Sequence, residues 1–209
     1  MKDSKPTVFI IDDDSSVRRS LERLLRSVGL TAKSFASAVQ FLQSGHQEET
    51  GCLILDVRMP EISGLALQEK LAKAGILLPI IFISGHGTVP MSVRAMKAGA
   101  LDFLQKPFNE QELLDAVYRA IDRCKQGKVE REELKEIQAR LHSLTPKEYE
   151  VFACVITGMM NKNIADKLAT AEKTIKVHRA SIMKKMGAQS VADLVRMAEK
   201  AGIRPLPTK

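Results

Sequence analysis

Val8-Phe9-Ile10-Ile11-Asp12-Asp13-Asp14 sets the grammar of this chain: four consecutive apolar residues run directly onto three carboxylates. A short continuous apolar run bounded by a turn signal reads as a strand buried on both faces, as in a parallel sheet. The same pattern returns three times. Cys52-Leu53-Ile54-Leu55 runs into Asp56, Ile80-Ile81-Phe82-Ile83 into Ser84, and Leu101-Asp102-Phe103-Leu104 into Gln105-Lys106-Pro107. In open α/β sheets the functional crevice lies outside the carboxyl ends of the strands. One rim therefore gathers several carboxylates, a hydroxyl and an ammonium, a set suited to a divalent metal and a phosphoryl group.

Helical patterns fill the intervals. Val17, Leu21, Leu24, Leu25 and Val28 share one face, and Gly29 ends that helix. A short strand is expected near Thr31–Ser34, followed by a helix carrying Ala38, Phe41 and Leu42. Gly64–Ala74 and Val89–Lys97 read as two more helices, closed by Gly75 and Gly99. Asn109 and Glu112 supply an N-cap and an N3 carboxylate before Leu113, Leu114, Val117 and Ile121. Five βα repeats predict a doubly wound five-stranded parallel sheet with helices on both faces, and an order of 2-1-3-4-5 would set the first and third strands side by side at the switch point.

Beyond Arg123 the chain becomes charge-rich, with Leu134, Ile137, Leu141 and Leu144 at helical spacing. A helical linker over residues 123–143 fits, either pairing with a second copy or packing on its own domain. Gly127 weakens that helix upstream. Thr145-Pro146-Lys147-Glu148 is then a strong start signal, with an N-cap, a proline at the first helical position and an N3 glutamate. A second helix starts near Asn161. Thr170 is expected to cap a third, with Ile175, Ile182 and Met186 facing inward, and Ser190 and Asp193 open a fourth. Four short helices, the middle two joined by a tight turn, describe a helix-turn-helix module.

At 209 residues, two modest domains fit better than one. Residues 144–209 carry 12 Lys/Arg against 6 Asp/Glu, a net of +6, while residues 1–143 are nearly neutral at +1. That split points to a polyanionic partner for the C-terminal part alone. Cys52, Cys124 and Cys154 are odd in number and far apart, so neither a disulfide framework nor a zinc site is indicated. With no apolar leader segment and no long apolar run, a cytoplasmic protein with no membrane partner is expected.

At the strand ends, Mg²⁺ (or Mn²⁺) would find hard oxygens on Asp12, Asp13 and Asp56. Asp13 reads as the direct ligand and Asp12 as one acting through water. Asp56 keeps an oxygen for attack on phosphorus, while Lys106 and Ser84 can neutralise and orient the equatorial oxygens. Competing chemistries fit poorly. A haloacid-dehalogenase-like phosphatase needs a second Asp two residues beyond its nucleophile, where this chain has Arg58. No GxxxxGK[ST] follows any strand, which excludes a P-loop enzyme. A phosphate-blind scaffold would usually lack one of the acids or the lysine.

Residues 5–122 resemble a two-component receiver domain, and residues 144–205 resemble a LuxR-type helix-turn-helix. Together they are similar to the FixJ/NarL class of response regulators. The resemblance rests on Ile11-Asp12-Asp13, Asp56-Val57-Arg58-Met59-Pro60 with Gly64, Ser84-Gly85-His86-Gly87, Met96-Lys97-Ala98-Gly99-Ala100 and Lys106-Pro107-Phe108. Its C-terminal pieces are Leu144-Thr145-Pro146 with Glu148, Asn161-Lys162 with Ile164-Ala165, and Thr174-Ile175-Lys176-Val177-His178.

The resemblance implies that Asp56 accepts a phosphoryl group from a sensor histidine kinase. Asp12, Asp13 and the backbone carbonyl of Arg58 complete the metal site, and Lys106 contacts the phosphoryl oxygens from a cis Lys106-Pro107 bond. Ser84 stands where many relatives have Thr, and Phe103 where many have Tyr; both keep a switch workable. In the C-terminal domain Lys176, Val177 and Ala180 are implied to face bases. Lysine can read guanine acceptors, while valine and alanine suit a thymine methyl. Lys162, Lys173, Thr174, Arg179 and Lys184 are assigned to phosphates, which position without specifying. His178 reads as packed or phosphate-facing. The implied protein is no enzyme beyond its own phosphorylation and dephosphorylation. It is a transcriptional activator whose phosphorylation promotes a homodimer on an operator with two half-sites, in contact with RNA polymerase.

Overall fold

The computed structural model describes residues 5–46 and 49–203, in two compact units that divide between Lys128 and Val129. In the first unit, β1 (Thr7–Ile11), β2 (Thr31–Phe35), β3 (Gly51–Asp56), β4 (Ile80–Ser84) and β5 (Asp102–Gln105) form one parallel sheet in the order β2-β1-β3-β4-β5. Between them run α1 (Ser15–Ser27), α2 (Ala38–Gln43), α3 (Gly64–Lys73) and α4 (Val89–Lys97). This is the doubly wound sheet that the four apolar runs predict.

Alternate strand residues feed two cores. Phe9, Ile11, Leu53, Leu55 and Phe82 pack with Phe41 of α2, Leu67 and Leu71 of α3 and Ala95 of α4. Val8, Ile10, Ile54, Ile81 and Ile83 pack with Leu21 and Leu25 of α1 and with Leu113, Val117 and Ile121. Burying each such side chain contributes about 1.5–3 kcal/mol. With both faces apolar, periodicity alone sets no strand register. Close backbone approach helps to set it: a Cβ on Gly51 would lie 1.8 Å from the Thr7 carbonyl oxygen, so only glycine fits opposite Thr7. That register pairs Ile11 with Leu55 and places Asp12 level with Asp56.

The last helix of the first unit does not stop where the receiver-like pattern ends. α5 spans Glu110–His142, 33 residues, and runs unbroken through Gly127 into the second unit. A single mid-helix glycine costs about 1 kcal/mol, yet the helix is continuous through it. Cys124 is buried on one side of Gly127, and Lys128 Nζ donates to Thr50 Oγ1 at 3.3 Å on the other.

The second unit comprises the end of α5, α6 (Pro146–Val155), α7 (Asn161–Lys167), α8 (Glu172–Met186) and α9 (Val191–Lys200). The capping boxes at Thr145/Glu148 and Ser190/Asp193 are both formed. The start of α8 differs from expectation: its N-cap is Ala171, with no side-chain cap, and Thr170 N–H instead donates to the Ala165 carbonyl. The α7–α8 turn passes through Ala169 at φ 50°, which takes Thr170 out of the cap position. Val151, Phe152, Ile164, Ile175, Ile182, Met186 and Leu194 form its core, with Leu144 buried and Leu141 packed against it. Part of the seam at 134–144 packs within the second unit. Ile137 is buried, Arg140 donates to the Met186 carbonyl at 3.0 Å and Glu133 pairs with Lys200. Residues 204 and 205 of the expected C-terminal domain lie outside the described residues. Among the described residues no helix is long and apolar enough to cross a membrane.

Candidate functional site

Parallel register delivers Asp12 and Asp56 to adjacent positions at the carboxyl rim, exposed by only 1% and 6%. Two buried carboxylates side by side repel unless a cation joins them. Lys106 is that cation. Its backbone N–H donates to the Ser84 carbonyl at 2.8 Å, and its Nζ reaches Asp12 Oδ2 at 2.6 Å and Asp56 Oδ1 at 2.9 Å. The Lys106-Pro107 bond is cis.

The remaining carboxylate oxygens are also held. Asp56 Oδ2 accepts the Arg58 N–H at 2.7 Å, and Asp12 Oδ1 accepts the Asp14 N–H at 2.9 Å. Behind Asp56, Gly64 N–H donates to the Val57 carbonyl, and a Cβ there would lie 2.3 Å from the Asp56 carbonyl oxygen. Only glycine lets α3 begin so close to the acidic strand end. Arg18 clamps the other loop, donating to the carbonyls of Asp12 and Asp13 at 2.7 and 2.9 Å. No motif signalled this role for Arg18, because its partners are backbone atoms.

Charge in the site is finely opposed. Burial pushes the Asp56 carboxyl above its ordinary value, although the Lys106 ammonium pulls it down. Burial pulls Lys106 down, but its bonds to Asp12 and Asp56 outweigh this and hold it above its usual range. Ser84 is buried, its Oγ accepting the His86 N–H at 3.3 Å. Phe103 lies half-buried against Phe82, its ring edge so near Gly87 that a Cβ there would meet it at 2.7 Å.

The two acids differ in setting: Asp12 is buried against Lys106, whereas Asp13 is exposed. Among the described residues no group of three His, Cys, Asp or Glu side chains is gathered for a metal. As a donor set, Asp12 and Asp56 still fit a hard divalent cation. They are oxygen-only, adjacent and bridged by a single positive charge, and Mg²⁺ typically takes one or two carboxylates and keeps several waters.

In the second unit α8 shows a buried and an open side. Ile175, Ile182 and Met186 face the core, while Lys173, Thr174, Lys176, Val177, Ala180 and Lys184 are all exposed, as is Lys162 on α7. Val177 is 64% exposed. His178 is half-buried. Arg179 is partly engaged, donating to the Met159 carbonyl at 3.5 Å. Lys176 pairs with Glu172 at 3.2 Å, an acid that the sequence reading left without a role.

Glu148 does more than cap α6. Its carboxylate accepts from Ser181 Oγ at 2.6 Å and Lys185 Nζ at 2.6 Å on α8, as well as from Thr145 N–H at 2.8 Å. The Lys185 bond first, then Ser181, holds its carboxyl down at about 2. Lys185 is thereby tied inward, unlike Lys173, Lys176 and Lys184 of α8.

The family described as "Response regulator receiver domain" matches residues 8–118, and that described as "Bacterial regulatory proteins, luxR family" matches residues 142–198. Among similar proteins is Nodulation protein W of Bradyrhizobium diazoefficiens, 50% identical over 96% of this chain and 88% of that protein. Response regulator protein TmoT of Ectopseudomonas mendocina is 49% identical over 96% of this chain and 91% of its own length. Transcriptional regulatory protein FixJ of Rhizobium meliloti is 41% identical, covering 95% of this chain and 98% of that one. Of solved structures, response regulator StyR superposes with a TM-score of 0.83 at 48% identity, covering 94% of this chain and 100% of that chain.

A phosphate-type strand-end site on a doubly wound sheet, followed by a helix-turn-helix, defines a two-domain signalling regulator. The chain belongs to the response regulators that join a receiver domain to a LuxR-type DNA-binding domain. It is a phosphorylation-dependent regulator of transcription.

Proposed function

We propose that Asp56 is the phosphoacceptor and that a sensor histidine kinase is the donor. The observation that carries this reading is the Lys106 ammonium held between the two buried carboxylates. One oxygen of Asp56 attacks phosphorus while the donor's P–N bond breaks. Lys106 then exchanges its contact with Asp56 for a phosphoryl oxygen, and Arg58 N–H orients the carboxylate for attack. Asp12, Asp13, Asp56 and the Arg58 carbonyl would hold Mg²⁺, which supplies neutralisation of the phosphoryl charge when bound. Ser84 follows the new phosphate, and Phe103 moves into the space it leaves.

The receiver spans residues 5–122, the linker 123–143 and the DNA-binding domain 144–205. Phosphorylation promotes a homodimer through the α4–β5–α5 surface, a reading supported by the exposed apolar side chains of Val89, Val93, Met96 and Tyr118. The dimer binds a two-half-site operator as an activator, in contact with RNA polymerase. Lys176, Val177 and Ala180 meet bases, and Lys162, Lys173, Thr174, Arg179 and Lys184 meet phosphates. The test is labelling by acetyl phosphate in Mg²⁺. Asp56→Asn should abolish it, and removing Mg²⁺ should do the same to the wild type. Stoichiometric acid-labile phosphate on Asp56→Asn would move the site elsewhere.

A further inference from the structure

We infer that Glu172 is a specificity-determining residue that selects cytosine beside the base read by Lys176. The inference rests on the reading of α8 as the base-reading helix. Glu172 is the first residue of α8, and in a helix-turn-helix the N-terminal residues of the second helix reach base edges. It also begins the stripe Glu172, Lys176, Ala180 and Lys184, spaced four residues apart and exposed throughout. Four-residue spacing puts these side chains on one face of the helix. Glu172 is the single acid among the exposed residues of that stripe and its flanks, Lys173, Thr174 and Val177.

A carboxylate on a surface that meets a polyanion is repelled by every phosphate nearby. It is tolerable where it finds a donor; Lys176 Nζ is one, and the major groove offers two more, cytosine N4 and adenine N6. A carboxylate only accepts, so it matches cytosine N4, whereas adenine presents an acceptor beside its donor. Glu172 also pairs with Lys176 Nζ at 3.2 Å, with side chains 47% and 64% exposed. The pair aligns an acceptor and a donor along one helix face, matching a cytosine next to a guanine. Charge at the helix N-terminus is the other role open to a first-turn acid, the more so because Ala171 caps α8 without a side-chain bond. That role would leave base preference untouched.

The experiment is selection from a randomised double-stranded DNA library by the full chain, activated with beryllofluoride. Wild type, Glu172→Gln, Glu172→Ala and Lys176→Ala are compared at one salt concentration. Wild type should enrich cytosine at one position of each half-site, adjacent to the position relaxed by Lys176→Ala. Glu172→Ala should lose that cytosine preference by about 5- to 10-fold, the lower part of the range for a good base contact. Glu172→Gln, which can pair with both adenine groups, should move the preference from cytosine towards adenine at the same position. Unchanged base preferences in both Glu172 variants, with only a uniform change in affinity, would overturn the assignment while leaving the α8 reading intact. If Lys176→Ala also relaxes no position, the α8 reading falls and this inference with it.

Discussion

Replacing Lys106 with Met would leave Asp12 and Asp56 buried together with no cation between them. The Lys106 side chain is 22% exposed and makes both bonds, so the loss belongs with buried pairs rather than surface ones. Removing one partner of a buried pair typically costs 3–5 kcal/mol, and the partial exposure points to the low end, about 3 kcal/mol at neutral pH. The pH sign follows from Asp56, whose carboxyl already lies above its ordinary 3.8. A group raised on folding stabilises below its unfolded value and loses that contribution as pH rises through its folded one. Lys106→Met raises the Asp56 value further, so the deficit should grow from acid to neutral pH. A divalent cation replaces the missing charge, so the variant should bind it more tightly than wild type. Mg²⁺ should narrow the deficit by the difference between the two stabilisations, each about 2.7 kcal/mol at 100 times its own dissociation constant. Amide hydrogen exchange of the β1 and β3 segments in the full chain reads this directly. Opening should become about 100-fold easier at pH 7, since each 1.36 kcal/mol is a factor of ten. A deficit equal at pH 5 and pH 7 and insensitive to Mg²⁺ would refute the argument, leaving Lys106 a packing residue.

Three further outcomes are expected. Glu148, held at about 2, stabilises the DNA-binding domain above its ordinary 4.5 and loses that contribution as pH falls through 2. Glu148→Gln should therefore unfold at a lower temperature than wild type at pH 6, with the gap closing towards pH 2, by calorimetry. Lys162→Ala should weaken all DNA sequences alike and flatten the salt dependence, whereas Lys176→Ala should relax one half-site position by about 1–3 kcal/mol if its contact is bidentate. Identical uniform losses in competitive binding would cancel that division. Beryllofluoride should raise the sedimenting mass of the full chain at micromolar concentration, and Val93→Glu should suppress the rise. One mass throughout would remove the dimer from the proposal.

Much of this protein is legible without coordinates, for a physical reason. Val8–Ile11, Cys52–Leu55 and Ile80–Ile83 are apolar at every position because both faces of a central parallel strand must be buried. The residue following each run therefore lands at the rim, which is how Asp12, Asp56 and Ser84 announce themselves. Capping residues act within one helical turn, so the starts of α6 and α9 at Thr145 and Ser190 are equally plain. Where a longer-range backbone path intervenes, local chemistry misleads: Thr170 looks like a cap, but the left-handed turn at Ala169 passes that position to Ala171.

Tertiary structure decided what depends on residues far apart in sequence. Asp12 and Asp13 are indistinguishable as letters, and only the β1–β3 register, with Gly51 against Thr7, turns Asp12 rather than Asp13 into the carboxylate that meets Lys106. At the seam, Ile137 is buried and Leu141 packs against the core of the second unit, contacts that helical spacing alone does not specify. Arg18 bonds backbone carbonyls, and Glu148 bonds side chains 33 and 37 positions away on α8. Composition and periodicity record which residues a helix or strand must bury. They do not record which of two neighbouring charges is brought within 3 Å of a third, because that is a property of packing in space.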